Sequence, residues 1–443
     1  MFLTSRIIAA ILFVVFTVCV SPTTAALNAS SGIGSTEDLS ASVFRYGPSR
    51  VGEAPNAVTP PMILAWKKSL GGPAAFGYFS SSPIAMNGRV YVGGGDGVYA
   101  LDLLSGDIVW RYGIDSAVRS SPSIAGGTLY VGSDDGTLHA IDAQSGMKLW
   151  TFKTEGRVIS SPLVVGQTVY SGSDDGALYA LHSKTGAVKW KLQTKLQITS
   201  SPAYASNTLY FGSWDGYVYA VDPENGQIRW KFYTEHGIES SPAVANGVVY
   251  IGASYTNRLL ALDASTGEEL WEYATGYKII SSPAISESIA FVGSTDANVY
   301  ALDARSGHIL WNYTAAGGIS GSSPTASGKI VYIGAEDKNL YALEKTTGRL
   351  LQSFKADETI ISTPLVYERW LVFTSSENTV YAFADHPVGS MMEINTSAQS
   401  SAGVHPDLSW SYFFVGGILV TVMLVAIGVF LLKRKKLARR YER

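Results

Sequence analysis

The sequence predicts an all-β chain folded as an eight-bladed β-propeller, closed by strands from both ends and followed by one C-terminal transmembrane helix. Three observations predict it. A Ser-Ser-Pro unit or a close relative recurs eight times, with its proline at Pro83, Pro122, Pro162, Pro202, Pro242, Pro283, Pro324 and Pro364, 39 to 41 residues apart. A period near 40 that holds four short strand patterns is the mark of propeller blades. The 25 Tyr, 10 Trp and 45 Gly, against only 16% charged residues, suit short aromatic strands joined by glycine turns. Tyr412–Leu432 is a run of 21 residues without a charge, long enough to span a bilayer.

The elements follow in order. Residues 1–26 read as a secretory leader, with Arg6 as its positive end, Ile7–Val20 as its apolar stretch and Thr24-Ala25-Ala26 for cleavage. An uncleaved anchor and a lipoprotein attachment through Cys19 are the alternatives. Cys19 is the only cysteine, so a cleaved chain has no disulfide, cysteine zinc site or iron–sulfur cluster. Residues 27–61, rich in Ser, Ala, Gly and Pro, read as a flexible lead-in. Met62–Leu70 carries Trp66 in a strand-like setting, with no Ser-Ser-Pro before it.

Residues 62–385 form the propeller. In the copy from Ser120, the first strand follows Pro122 and turns at Gly126-Gly127, as others turn at Asn87-Gly88 and Asn246-Gly247. An Asp-Gly turn leads to the third strand, and a turn ending in Gly146 leads to the fourth with Trp150. The corresponding tryptophans are Trp110, Trp190, Trp230, Trp271 and Trp311, and Gln352 takes the seventh place. The eighth copy has three strands only, so the strand around Trp66 completes it and removes the open sheet edges.

Residues 386–411 read as a polar stalk, 412–432 as the membrane span and 433–443 as a basic cytoplasmic tail. Trp410 and Tyr412 stand at the outer end of the span, and Lys433-Arg434-Lys435-Lys436 at the inner end, which puts the propeller on the extracytoplasmic side. The net charge of −3 conceals this division. Without the tail and Arg6 the chain holds 25 basic and 35 acidic residues, which is no footprint for nucleic acid.

The segment Ala140-Ile141-Asp142-Ala143-Gln144-Ser145-Gly146-Met147-Lys148-Leu149-Trp150 resembles the tryptophan-docking repeat of pyrroloquinoline-quinone-type propellers. Copies starting at Ala100, Ala180, Ala220, Ala261, Ala301 and Ala342 repeat it, with His182 and Glu344 in place of the Asp. The resemblance covers roughly 62–385. It implies one of two branches: quinoprotein dehydrogenases, or non-catalytic propellers similar to the lipoprotein of the bacterial outer-membrane barrel-assembly machinery. The residues of the repeat have structural tasks. Asp and Gly serve the turn, Ala leaves room, and Trp66, Trp110, Trp150, Trp190, Trp230, Trp271 and Trp311 stitch blade to blade.

Chemistry has little to rest on. The vicinal cysteine pair of the alcohol-oxidising branch is absent, and the blades are uniform in length, with no long insertion to cage a cofactor. No catalytic, cofactor-binding or metal residue is assigned. Asp134-Asp135 and Asp174-Asp175 read as hairpin turns, with calcium binding as the alternative. His139 stands where other blades have Tyr and reads as packing. His236, with Glu235 and Glu239, lies in an interblade loop, with a general base or metal ligand as the alternative to an ordinary polar loop. The candidate binding face, made by interblade loops and turns between second and third strands, carries Asp134, Asp174, Trp214, His236, Glu239 and Tyr255. Sequons at Asn28, Asn312 and Asn395 suit glycosylation of an exported chain. The expected function is a membrane-anchored, non-catalytic scaffold at the cell surface that binds a protein or cell-envelope ligand, with no cofactor. The alternatives are an oxidoreductase of alcohols or sugars using pyrroloquinoline quinone with calcium, and a structural protein of the cell envelope.

Overall fold

The computed structural model describes residues 44–72 and 80–385. The leader, the stalk, the apolar run at 412–432, the basic tail, Asn28 and Asn395 lie outside the described residues. Among the described residues no helix is long and apolar enough to cross a membrane.

Among the described residues thirty-two strands form eight four-stranded antiparallel sheets. Blade 1 spans Ile84–Gly113, and blades 2 to 7 repeat it up to Lys355. Blade 8 takes Leu365–Tyr367, Trp370–Thr374 and Thr379–Ala384 from one end of the ring and Ile63–Ser69 from the other, in the expected closure. Ile63 pairs with Ala384, Trp66 with Ala382 and Ser69 with Thr379. The hairpins between first and second strands close as the sequence requires. Asn87-Gly88, Gly126-Gly127 and Asn246-Gly247 all have positive φ at both positions, the geometry of a type I′ turn.

The core lies between blades rather than inside any one of them. Tyr91, Val98 and Ala100 of blade 1 pack with Ile124, Leu129 and Val131 of blade 2, and the pattern repeats around the ring. Close approach explains the glycine at or next to the end of the second strand in blades 1 to 7: a Cβ on Gly132 would fall 2.3 Å from Val158 of the next interblade loop.

The seven tryptophans of the repeat dock on the next blade. Each donates its indole N–H to a backbone carbonyl in the next blade, Trp150 to Ser183 at 2.8 Å and Trp190 to Pro223 at 2.9 Å. Each ring lies on the glycine of the following turn. A Cβ on Gly226 would sit 2.7 Å from the Trp190 ring, and its φ of +72° suits glycine as well. Trp66 docks on blade 1 through Leu103, which closes the circle. Gln352 does the same work by other means: its amide donates to the Met62 carbonyl at 2.8 Å and accepts from the Met62 N–H at 3.0 Å.

The Ser-Ser-Pro units form a belt around the axis. From Ser82 round to Ser323 the N–H of one second serine donates to the hydroxyl of the next, as Ser121 to Ser161 and Ser161 to Ser201, and Thr363 donates to Ser82. The first serine accepts from its own second strand, as Ser160 does from the Gly172 N–H. A buried polar ring of this kind is tolerable because its members satisfy one another.

The lead-in departs from expectation. From Phe44 to Met62 it is packed into the ring. Carbonyls of Pro48, Ser49, Val51 and Gly52 accept, in turn, from the N–H groups of Tyr204, Val244, Ile285 and Ala326, the first strands of blades 4 to 7. Inner-edge N–H groups that would otherwise be unpaired are thereby satisfied. Arg45 and Arg50 are buried with it, donating to the carbonyls of Ser282 and Pro283 and of Ser161 and Pro202, respectively. Burial pushes both guanidinium groups down to about 9. The flexible assignment of 27–61 is therefore corrected for 44–61.

Candidate functional site

The face on which the candidate residues were expected is assembled by two kinds of segment. Interblade loops and the turns between second and third strands meet there through backbone hydrogen bonds, such as Asp134 N–H to the Ala117 carbonyl and Trp214 N–H to the Gln197 carbonyl. The residue just before each Ser-Ser pair borders the mouth of the central channel. Arg119, Ile159, Thr199, Glu239 and Ile280 hold five of these places and line, with Phe44, a cavity of about 50 Å³.

Three of the six expected residues come together between blades 4, 5 and 6. Trp214 donates Nε1 to Thr199 Oγ1 at 3.0 Å and packs against Tyr255 with ring centroids 5.5 Å apart. The Tyr255 hydroxyl bonds the Glu239 carboxylate, and Lys278 stands over the Tyr255 ring at 4.2 Å. A cation at that distance is attracted by the ring quadrupole. Glu239 is only 5% exposed, and its N–H donates to Ser254 Oγ at 3.0 Å. Burial pushes the Glu239 carboxyl up, against the opposing pull of Tyr255 and Lys278. Tyr255 reaches this place because Ser254–Thr256 is a 3₁₀ turn, where blades 2 to 4 have an Asp-Gly hairpin turn. His236 shares the interblade loop of Glu239, with its side chain exposed to solvent.

Asp134 and Asp174 have other duties. Asp134 forms a forked pair with Arg119, through Nε at 3.0 and 2.8 Å, and Asp174 accepts from Arg157 Nε at 2.6 Å. Burial pushes the Asp174 carboxyl up, and Arg157 opposes it. Both pairs tie a turn to the preceding interblade loop. The second aspartates are turn acceptors: Asp135 takes the Ser133 hydroxyl at 2.6 Å and the Thr137 N–H at 2.9 Å. Among the described residues no group of three or more His, Cys, Asp or Glu is placed to hold a metal ion. His139 is buried between Ser133 Oγ at 2.9 Å and the Tyr112 hydroxyl at 3.4 Å, and burial pushes it down to about 4. It is a packed neutral imidazole, as its place in the repeat suggests. Asn312 is exposed on the outer strand of blade 6.

Arg119, Arg157, Thr199 and Lys278 were not among the expected site residues. A signal for one of them was available. In the column before Ser-Ser, Arg119 joins the expected Glu239 as a charged residue among Ile, Thr, Gly and Ser.

The mouth does not fit pyrroloquinoline quinone with calcium. A cavity of about 50 Å³ is far below the roughly 300 Å³ at which small-molecule pockets begin. Glu239 is the one carboxylate among the residues lining that cavity, a sparse donor set for a divalent ion.

Comparison with known proteins identifies the family and the fold. The profile of the family described as outer membrane protein assembly factor BamB matches residues 63–131, 122–234, 214–321 and 315–387. Among curated proteins none matches by sequence. The fold is similar to that of BamB from Moraxella catarrhalis, with a TM-score of 0.64 and 19% identity over 73% of this chain and 99% of that one. It is also similar to the quinohemoprotein alcohol dehydrogenase ADHIIG from Pseudomonas putida HK5, with a TM-score of 0.68 and 16% identity over 79% and 81%. A europium-containing methanol dehydrogenase gives 0.67 and 14% over 77% and 97%. At these identities the solved structures share the fold alone.

Proposed function

Because this chain belongs to the family described as outer membrane protein assembly factor BamB, we propose that it is a non-catalytic propeller that binds a protein partner on its interblade-loop face. The observation that carries this reading is the cluster of Trp214, Tyr255, Glu239 and Lys278 at the channel mouth. Aromatic rings such as Trp214 and Tyr255 are enriched in protein contact centres, and a charged pair beside them sets orientation and specificity. The small volume of the mouth and its single carboxylate favour a surface contact over an enclosed substrate. Asp134 and Asp174 act as supports, holding the turns that shape the face, and His236 stands at its edge.

The flanking sequence completes the proposal. Residues 1–26 direct export, 412–432 anchor the chain, and 433–443 remain in the cytoplasm, so the propeller stands outside the membrane on the stalk 386–411. Asn312, exposed on the outer rim, is open to glycosylation.

Crosslinking on intact cells from a photoreactive residue at position 214 tests the reading, with position 188 on the outer strand of blade 3 as control. A partner captured from 214 alone is the expected result, and exchange of Trp214 and His236 together weakens its binding. Equal capture from both positions discards the face. Reduction of a dye with alcohols or sugars after addition of pyrroloquinoline quinone and calcium replaces the reading by the oxidoreductase one.

A further inference from the structure

The outer strands are alike in backbone and unlike in what they show to solvent. Each carries a β-bulge just before its tryptophan position, as between Ala100 and Leu101 in the pairing of blade 1, so the two residues preceding that position stand out at the rim. In blades 2 to 5 one of the two is charged: Lys148, Lys189, Arg229 and Glu269. Charges on an edge strand are the usual guard against unwanted pairing. In blades 6, 7, 8 and 1 neither of the two is charged. The pairs there are Ile309-Leu310, Leu350-Leu351, Leu64-Ala65 and Ile108-Val109. These blades are neighbours in the ring, so the pairs form an arc of uncharged rim positions on one side of it. With Ile63 beside Leu64, seven of its side chains are 42–51% exposed. Beside Leu351, an open groove of about 490 Å³ runs along Pro60, Pro61 and Ile330 where Gln352 replaces tryptophan.

The fold does not demand this asymmetry, because four blades dispense with it. Its place relative to the chain end suggests the reason. The last described strand ends at Ala384, paired with Ile63 in blade 8, so the chain leaves the ring inside the arc. The uncharged run 412–432 then begins after 26 further residues, 386–411. We infer that the arc of blades 6, 7, 8 and 1 is the side of the propeller that lies against the lipid surface. The contact is with the interfacial layer, where headgroups and water satisfy the strand edges while apolar side chains enter. The tether holds this side, and not blades 2 to 5, at high effective concentration beside the bilayer. This inference rests on the anchoring reading of 412–432.

The test uses the full chain with Cys19→Ser, reconstituted into phosphatidylcholine vesicles that carry a lipid-attached quencher. Single cysteines at Leu310 or Val109 in the arc, and at Leu149 of blade 2 as an equally exposed control, bear an environment-sensitive dye. The expected result is a blue shift and several-fold stronger quenching at 310 and 109 than at 149, with Leu64→Lys reducing both. Vesicle-bound protein with equal quenching at all three positions overturns the inference and leaves the anchoring reading standing. Protein that fails to float with vesicles overturns both. A blue shift at 310 that needs no lipid and grows with protein concentration overturns it in favour of contact between copies of the chain.

Discussion

Replacing Trp190 by alanine tests the joint that the repeat builds most often. In blade 3 the indole is half-buried, lies 5.8 Å from the Tyr170 ring and donates to the Pro223 carbonyl at 2.9 Å across the blade boundary. Removing it returns roughly 150 Å² of apolar contact to water, about 4 kcal/mol at about 25 cal/mol/Å². One net hydrogen bond adds about 1 kcal/mol. An outer strand can relax into part of the space, and a half-exposed ring is not buried to the full, so the expected loss is about 3 kcal/mol. The denaturant midpoint falls accordingly, with a thermal shift of roughly 5 °C. Gly226 supplies the control. Gly226→Ala in the parent chain strains a φ of +72° and drives a Cβ to 2.7 Å from the indole. In the Trp190→Ala background only the backbone strain of about 1–2 kcal/mol remains. Equal cost of Gly226→Ala in both backgrounds, or an unchanged midpoint for Trp190→Ala, refutes the docking account.

Other outcomes follow from the same geometry. His139 is held near 4 while an unfolded histidine titrates near 6.5, so the unfolded chain takes up the proton first. Stability is full above about pH 6.5 and falls by about 3 kcal/mol as pH drops through 4; His139→Tyr removes that segment of the urea-midpoint profile. Glu239 has the opposite sign: its carboxyl is raised by burial, so its ionisation opposes folding as pH rises. Glu239→Gln raises the midpoint at pH 7 and leaves it unchanged at pH 4, whereas a loss at both would show the carboxylate to be a needed partner. Arg50→Met leaves carbonyls of Ser161 and Pro202 without their donor and costs about 3 kcal/mol. Faster proteolysis within 44–61 at an unchanged far-ultraviolet spectrum confirms the loss as release of the lead-in from the ring.

Much of the molecule was legible as a pattern. Ser-Ser-Pro, the paired turn residues, Asp, Gly and Trp each meet a local demand of sterics or hydrogen bonding, and a demand met eight times leaves a period in the chain. The blade count, the closure by the strand around Trp66 and the docking role of the tryptophans follow from that period. The candidate face was legible only as a location. Trp214, Glu239 and Tyr255 could be assigned to it because loops that break the pattern mark it. That Asp134 and Asp174 would be absorbed by Arg119 and Arg157 was not legible, since each pair joins residues of different loops 15 and 17 positions apart.

The sequence by itself determined the all-β repeat, its closure and the face on which copies differ, because those properties rest on residue types recurring at a fixed spacing. Only the tertiary structure decided the fate of the lead-in. Pro48, Ser49, Val51 and Gly52 bind the inner strands through their carbonyl groups, and a backbone acceptor is the same in every residue, so such a segment carries no side-chain periodicity. Arg45 and Arg50 are buried for the same reason: the partners of their guanidinium groups are carbonyls of Ser-Ser-Pro units that only a closed ring gathers around one axis.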